Sequence, residues 1–150
     1  MNKKIYKDGI EVVELQIKAL KNLKKSLDKS FSDIVKEIIK CKSKILICGV
    51  GKSGKIASKI AATLSSVGTP TFAISANDCS HGDLGSISAR DLLILISHSG
   101  NTIELKNIIN YAKMNKIKII GVTSNKDSFL SKSSYLKIIL PKVFESGFGI

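Results

Sequence analysis

Two short polar segments carry residue types suited to binding phosphorylated molecules. Residues 97–102 read Ser-His-Ser-Gly-Asn-Thr and follow the most apolar run of the chain, residues 92–96. Three hydroxyls around a glycine, at the start of a predicted helix, can converge on one phosphate because hydroxyl and backbone N–H groups both donate to it. An ordinary helix cap needs only one of these hydroxyls. The segment therefore predicts a phosphate site made by Ser97, Ser99 and Thr102, with Gly100 and Asn101 in support.

The second segment is a glycine turn, residues 49–54, which read Gly-Val-Gly-Lys-Ser-Gly after an aliphatic run. A strand, a tight turn and a helix N-terminus are predicted, and anions bind at such a junction. The turn also satisfies the dinucleotide pattern G-x-G-x-x-G, with Asp78 as a candidate ribose-binding acid. A lone match of this kind is weak, and a dinucleotide fold has no need of the second polar segment. A Walker loop would require glycine at position 46, where this chain has Leu.

The elements that must position these segments alternate between strand and helix. Apolar runs predict strands at 44–49, 71–75, 92–96, 117–122 and 136–140, with helices near 53–66, 103–112 and 126–131 between them. Such alternation forces right-handed crossovers and a parallel sheet. We expect an α/β fold, a three-layer α/β/α sandwich of flavodoxin-like or Rossmann-like type with five parallel strands. Ligands of these sheets bind at the carboxyl ends of the strands, where the polar segments fall.

Two helices are predicted before the sheet. Apolar residues spaced by three and four run through 8–27, and a second helix follows with Ser30 or Ser32 as its cap. We expect a single domain over 1–150, with N-terminal helices in 1–42 and the sheet core in 43–150. Residues 76–85 are expected to form a long polar loop, and loops of that size usually have a function.

Composition excludes several classes of function. The net charge of +12 comes almost entirely from lysine, and Arg90 is the only arginine. Because arginine and aromatic residues are scarce, we expect a solvated lysine surface and no nucleic-acid partner. We also expect no membrane partner and a cytoplasmic location, since the chain has no apolar run of about 18 residues and no signal peptide. Three cysteines without paired spacing predict reduced thiols, and Cys79-x-His81 without a second cluster does not indicate a metal.

The two segments together resemble the sugar isomerase (SIS) domain family, whose hallmark is S-x-S-G-x-T after a strand, paired with a glycine and serine turn after an earlier strand. Gly-Thr-Pro at 68–70 and His-Gly-Asp-Leu-Gly at 81–85 extend the resemblance to the D-arabinose 5-phosphate isomerase branch. The resemblance covers residue 10 to the end of the chain. It implies interconversion of D-arabinose 5-phosphate and D-ribulose 5-phosphate through an enediol, without a cofactor, in the supply of the eight-carbon acid of lipopolysaccharide.

The resemblance also implies roles for individual residues. The substrate phosphate would be held by hydroxyls of both segments, Ser53, Ser97, Ser99 and Thr102. Lys52 would stabilise the developing oxyanion, His81 would open the sugar ring or relay a proton, and Glu145 would be the base. Supporting positions are Gly49, Gly51, Gly54, Asp83, Gly100 and Asn101. The partners implied are a phosphorylated pentose and further copies of this chain, in a dimer or tetramer with sites near the subunit interfaces.

Two departures from the family pattern bear on these roles. Asn101 stands where the family often has an acid, and Glu104 follows three residues later. The family continues beyond this point, commonly into regulatory CBS modules, and none is expected within these 150 residues. The alternative function is therefore a phosphosugar-binding or sensor SIS module without catalysis.

Overall fold

The computed structural model describes residues 3–80 and 82–143. The helices are α1 (Lys3–Ser26), α2 (Lys29–Lys40), α3 (Lys52–Ser66), α4 (Ala76–Ser80), α5 (Leu105–Met114) and α6 (Phe129–Ser133). The strands are β1 (Ile45–Gly49), β2 (Thr71–Ser75), β3 (Leu92–Ile96), β4 (Lys118–Thr123) and β5 (Leu136–Ile139). A short 3₁₀ helix occupies Asp83–Ser86. By contact these residues form two compact units, residues 28–139 and residues 3–27 with 140–143.

The larger unit contains a five-stranded sheet in the order β2-β1-β3-β4-β5, with every neighbouring pair parallel. The predicted α/β fold with a parallel sheet is confirmed. Its strand order is that of the flavodoxin-like doubly wound sheets, in which the order reverses beside the first strand. The carboxyl ends of β1 and β3 therefore flank the position at which such folds bind their ligands.

Side chains alternate between two faces of the sheet, and each face is covered by helices. Ile45 and Ile47 point to one face, where they pack with Ile34 of α2 and with Ala57 and Ala61 of α3. The opposite face contains residues of β1 and β3 packed with α4 and α5, among them Leu46, Leu93, Leu95, Ile108 and Ile109. All of these side chains are buried. Burial on both faces explains why the strands are continuous apolar runs rather than alternating ones.

The smaller unit contains α1, whose boundaries differ from the predicted 8–27. The helix begins five residues earlier because Lys3 to Lys7 contain no helix breaker. Its apolar side chains stay exposed in this structure, including Ile10, Val13, Ile17 and Leu20.

Three predictions of local structure were wrong in detail. The cap of α2 is Asp28 rather than a serine, and its carboxylate accepts from the N–H of Ser30 at 2.8 Å. The predicted polar loop 76–85 contains α4 and the 3₁₀ helix, because Ala76 and Cys79 are apolar enough to pack into the core. The helix predicted at 126–131 begins later, at Phe129, because the Ser128 side chain caps it.

The thiols of Cys48 and Cys79 are buried in the core, and no disulfide involves them. Burial, with a further contribution from Cys79, raises the pKa of Cys48 to about 12. Packing therefore accounts for Cys79 better than a metal ligand would. The described residues contain no group of three or more His, Cys, Asp or Glu side chains placed to hold a metal ion. No helix among them is long and apolar enough to cross a membrane.

A buried carboxylate, Asp91, fixes the loops at the amino ends of β1 and β3. Its side chain has no exposed surface, and it accepts from Ser43 Oγ at 2.6 Å, from the Ser88 N–H at 2.7 Å and from Lys44 Nζ at 2.9 Å. Burial alone would raise the pKa of Asp91, but the hydrogen bonds from Ser43, Ser88 and Lys44 outweigh it and lower the pKa to about 2. Because the folded value lies below the unfolded one, this group stabilises the fold above about pH 4, and the contribution is lost as the pH falls towards 2.

We therefore expect Asp91→Asn to lower the free energy of unfolding at pH 7 by about 2 kcal/mol, which is the linkage value for a shift of this size. The variant should also lose less stability than the wild type between pH 4 and pH 2. Urea unfolding at a series of pH values measures both effects. The control is Asp33→Asn, since Asp33 only pairs with Lys36 on the surface at 3.3 Å and should contribute less than about 0.5 kcal/mol. An Asp91→Asn protein as acid-sensitive as the wild type would contradict this account.

Candidate functional site

The two chemistry-bearing segments leave the sheet side by side. Gly49, the last residue of β1, is paired in register with Ile96, the last residue of β3. Neighbouring strands lie about 4.8 Å apart, so the turn 50–54 and the loop 97–102 begin next to each other. The turn and the loop both lie at the carboxyl ends of the strands, the turn at the start of α3 and the loop before α5.

The loop 97–102 is organised from inside by Ser97. This residue is only 3% exposed. Its Oγ lies 2.7 Å from Thr102 Oγ1 and accepts from the Gly100 N–H at 3.0 Å. These bonds close the loop on itself, so Ser97 holds Thr102 in place. Ser99, whose Oγ accepts from the Asn101 N–H at 3.3 Å, is exposed, and Thr102 is half-buried.

The start of α5 adds backbone donors to these hydroxyls. Leu105 and Lys106 donate to the carbonyls of Thr102 and Ile103. Within the described chain, however, the N–H groups of Thr102, Ile103 and Glu104 donate to no protein acceptor. Free amides at the positive end of a helix bind anions. The loop therefore combines two accessible hydroxyl residues with three free amides, a combination suited to holding a phosphate.

Gly100 allows this loop to pack against the next one. Its φ of +67° is a left-handed conformation, and a Cβ at this position would lie 2.5 Å from Ser128 Cβ and 2.7 Å from Thr123 Oγ1, and would overlap Ser128 Oγ. The Gly100 carbonyl accepts from the N–H of Leu130 at 3.0 Å. Asn101 adds a second tie, because its Oδ1 accepts from the Phe129 N–H at 2.9 Å. The loop is thus held rigidly by the segment after β4.

From the sequence, no supporting role was predicted for that segment, although its polar residues were expected at the carboxyl ends of the strands. Thr123 and Ser124, at the end of β4, both donate side-chain hydrogen bonds to the His98 carbonyl, at 3.1 Å and 2.8 Å. The Ser124 N–H donates to the same oxygen at 3.0 Å. A run of polar residues directly after a buried strand was the available signal. It does not indicate which loop those residues will hold.

In the glycine turn, two glycines permit a close backbone approach. A Cβ on Gly49 would lie 2.7 Å from the Ser53 carbonyl carbon, and a Cβ on Gly54 would lie 2.8 Å from the Gly49 oxygen. Helix α3 therefore begins tightly against the end of β1. Gly51 precedes it with a φ of +58°, and Ser53, which is half-buried, donates its N–H to the Val50 carbonyl at 3.2 Å.

This geometry places Lys52 at the first position of α3. The residue is exposed, and none of the ion pairs among the described residues involves it. A cation at the N-terminus of a helix is opposed by the helix dipole, at a cost of about 0.3–1 kcal/mol. Helix stability therefore does not explain a lysine here. An ammonium group beside a phosphate loop can instead stabilise negative charge that develops on a bound molecule.

The other predicted site residues divide into two groups. Asp83 begins the 3₁₀ helix, is exposed, and lies close enough to Cys79 to contribute to the raised pKa of that thiol, whose main cause is burial. His81 and Glu145 lie outside the described residues, so their roles stay predictions. A further acid, Glu104, lies at the N-cap of α5, next to the loop 97–102. Its side chain is exposed and does not cap the helix.

Comparison with known proteins identifies the family of this chain. Residues 37–150 match the SIS domain family. Arabinose 5-phosphate isomerase KdsD of Francisella tularensis is 39% identical over 136 residues, which are 89% of this chain and 42% of that protein. Arabinose 5-phosphate isomerase KpsF of Escherichia coli O6:H1 is 43% identical over 120 residues, 79% of this chain and 37% of the other.

The fold is shared with the c3406 protein of E. coli CFT073, whose structure was solved as a ligand complex. That structure superposes with a TM-score of 0.85 at 33% identity and covers all of this chain and 81% of the other. This chain spans about two fifths of the length of the two curated relatives above. The matched residues include both segments of the site and the whole sheet. The chain belongs to the SIS domain family.

Proposed function

We propose that this chain carries the substrate site of an aldose-ketose isomerase that interconverts D-arabinose 5-phosphate and D-ribulose 5-phosphate. The observation that carries the proposal is the phosphate loop of Ser99, Thr102 and the free amides of residues 102–104, beside an otherwise unexplained Lys52. The names of the relatives support the same substrate. The product of the reverse reaction, D-arabinose 5-phosphate, would supply lipopolysaccharide synthesis.

The chemistry follows from where charge appears. Moving the carbonyl between C1 and C2 requires a base to remove a proton from one carbon and return it to the other, through an enediol. The phosphate would be held at α5, and the carbonyl end of the sugar would reach the turn at Lys52 on the neighbouring strand. The Lys52 ammonium would then stabilise the oxyanion of the enediolate. Glu145 remains our proposed base and His81 the ring-opening group, while Glu104 is the acid that the described site itself offers.

The direct test is a coupled assay for D-ribulose 5-phosphate formed from D-arabinose 5-phosphate by the purified chain, with calorimetry of the same sample. Turnover that saturates with substrate supports the isomerase. Binding of the pentose phosphate without turnover by the folded chain would overturn the enzyme proposal and favour the sensor module. We also propose that the chain is a single SIS domain and that it works as a homo-oligomer. Sedimentation of the active preparation tests the oligomeric state.

Thr102 offers a specific test of the phosphate site. Replacing it by the isosteric valine removes a hydroxyl that lies 2.7 Å from Ser97 Oγ. A hydrogen bond to a charged group contributes about 1.5–3 kcal/mol, so we expect Thr102→Val to weaken D-arabinose 5-phosphate binding by at least about tenfold in calorimetry. The control is Thr63→Val, since the Thr63 hydroxyl only donates to the Lys59 carbonyl on the exposed face of α3. Equal affinities of the two variants would show that the phosphate binds elsewhere.

A further inference from the structure

A cleft lies at the amino ends of the strands, opposite the candidate site, and the proposed reaction does not use it. Its volume is about 560 Å³, within the usual range for small-molecule sites. The walls come from the segments that precede β1, β3 and β4, which are neighbours in the sheet. A strand of five residues spans about 16 Å, so the cleft lies a full strand length from the loop 97–102.

The lining of this cleft is strongly basic. Lys40, Lys42, Arg90, Lys116 and Lys118 contribute to it, against two acids. Both acids are already neutralised: Glu37 Oε2 lies 2.6 Å from Lys118 Nζ, and Asp91 is paired with Lys44. Among the residues that the structure describes, the remaining four cations have no acidic partner within 4.0 Å.

Helix dipoles explain only part of this charge. Lys40 ends α2, and Lys116 follows the C-cap of α5, so both complement the negative end of a helix. Lys42 and Arg90 lie in loops, where the structure provides no dipole for them to offset. Arg90 is also the single arginine of the chain, and the planar guanidinium can bind a phosphate or carboxylate through two parallel hydrogen bonds.

The cleft walls are held in a fixed arrangement. The buried Asp91 accepts from Ser43 Oγ, in the wall that precedes β1, and from the N–H of Ser88, in the segment that precedes β3. The Lys118–Glu37 pair joins β4 to α2. The backbone segments that bear the cations are therefore fixed relative to one another, which lowers the entropic cost of bringing the cations together.

We propose that this cleft binds a small organic polyanion with two phosphate or carboxylate groups, at a site separate from the phosphosugar site. Four unpaired cations match the charge of two such groups. None of the described residues that line the cleft is aromatic, so it offers no stacking surface for a nucleobase. Single-stranded nucleic acid and free nucleotides are therefore disfavoured. Ala89 and Leu92 supply the apolar part of the lining for a short carbon backbone.

The probe is inorganic pyrophosphate, titrated into the ¹⁵N-labelled chain at low, constant ionic strength, because salt screens such contacts. We expect amide shifts to concentrate on residues 40–43, 89–91 and 116–118. Inorganic phosphate should bind about tenfold more weakly, since it engages fewer of the cations. Shifts confined to residues 99–104, or spread over the whole lysine surface, would overturn the proposal.

Two charge-matched double variants complete the test. Lys42→Gln/Arg90→Gln should weaken pyrophosphate binding at least about tenfold. The control, Lys59→Gln/Lys132→Gln, removes the same charge from exposed positions of α3 and α6 and should change affinity by less than about twofold. All four side chains are exposed, so neither variant should unfold, and the same spectra verify this. Equal losses of pyrophosphate affinity in the two double variants would mean that only net charge matters, and would overturn the proposal. Tighter binding of hexaglutamate than of pyrophosphate would overturn it in favour of an acidic peptide as the ligand.

Discussion

Replacing Lys52 by alanine is expected to lower kcat/KM for pentose 5-phosphate isomerisation by about 10²–10³-fold, the usual range when a donor to a developing oxyanion is removed. The same change should not weaken the fold. Lys52 opens α3 against the helix dipole and has no ion-pair partner in the described part of the chain. Its removal should therefore leave the free energy of unfolding unchanged or raise it by a few tenths of a kcal/mol. The two measurements are initial rates in the coupled assay and urea unfolding.

The control is Lys55→Ala, three residues further along α3. Lys55 is exposed and lies in the first turn of the same helix, so its loss changes net charge and dipole interaction in the same way. Lys55 lies outside the turn 50–54, which leaves the sheet next to the loop 97–102. The rate of the Lys55→Ala variant should therefore stay within about threefold of the wild-type rate, as expected for screened surface charge. If both variants lost activity equally, attraction of the anionic substrate would explain the effect, and Lys52 would have no role in the chemical step.

The fold could be predicted from the sequence because local pattern and global architecture agree. Residues 92–96 are Leu-Leu-Ile-Leu-Ile, a short continuous apolar run typical of a strand buried on both faces. Helix and strand boundaries were less predictable where several residues could perform the same role. Asp28, Ser30 and Ser32 can all cap a helix, and the choice depends on where α1 ends, which the tertiary structure decides.

The residue types of the candidate site could be predicted from the sequence, but not which of them are buried in the loop and which are accessible to a ligand. Ser97, Ser99 and Thr102 have similar hydroxyls, yet Ser97 is buried and braces the loop, while Ser99 is exposed and Thr102 is half-buried. Only the turn made by Gly100 decides this. Asn101, which departs from the family pattern, ties the loop to α6 through the Phe129 N–H, and no local pattern relates residues 28 positions apart.

The basic cleft was not predictable for the same reason. Its cations are distributed over three segments, around residues 40, 90 and 116, and each segment alone looks like part of a solvated lysine surface. Parallel pairing brings the amino ends of β1, β3 and β4 together, and the cations with them. Asp91 is similar: a single acid before a strand gives no sign that it will be fully buried with three donors.

Gly100→Ala should be strongly destabilising, because it combines backbone strain with steric overlap. A left-handed φ costs a residue with a Cβ about 1–2 kcal/mol, and overlap with packed atoms typically adds about 1–3 kcal/mol. The added Cβ would overlap Ser128 Oγ and approach Thr123 Oγ1 to 2.7 Å. Both hydroxyls are buried and already hydrogen-bonded, Ser128 to the Asn125 carbonyl at 2.7 Å and Thr123 to that of His98. We therefore expect a loss of about 3 kcal/mol in urea unfolding.

Gly51→Ala separates the two causes of that loss. Gly51 also has a positive φ, +58° with a ψ of −122°, and nothing lies within 4 Å of an added Cβ, so this variant should lose only a backbone contribution of about 1–3 kcal/mol. Gly100→Ala should differ by also losing pentose phosphate binding, because its overlap with Thr123 and Ser128 displaces the loop that contains Ser99 and Thr102. Wild-type affinity for pentose phosphate in Gly100→Ala would mean that the loops after β3 and β4 are not packed together as described, and the rigid arrangement of the loop 97–102 would lose its structural basis.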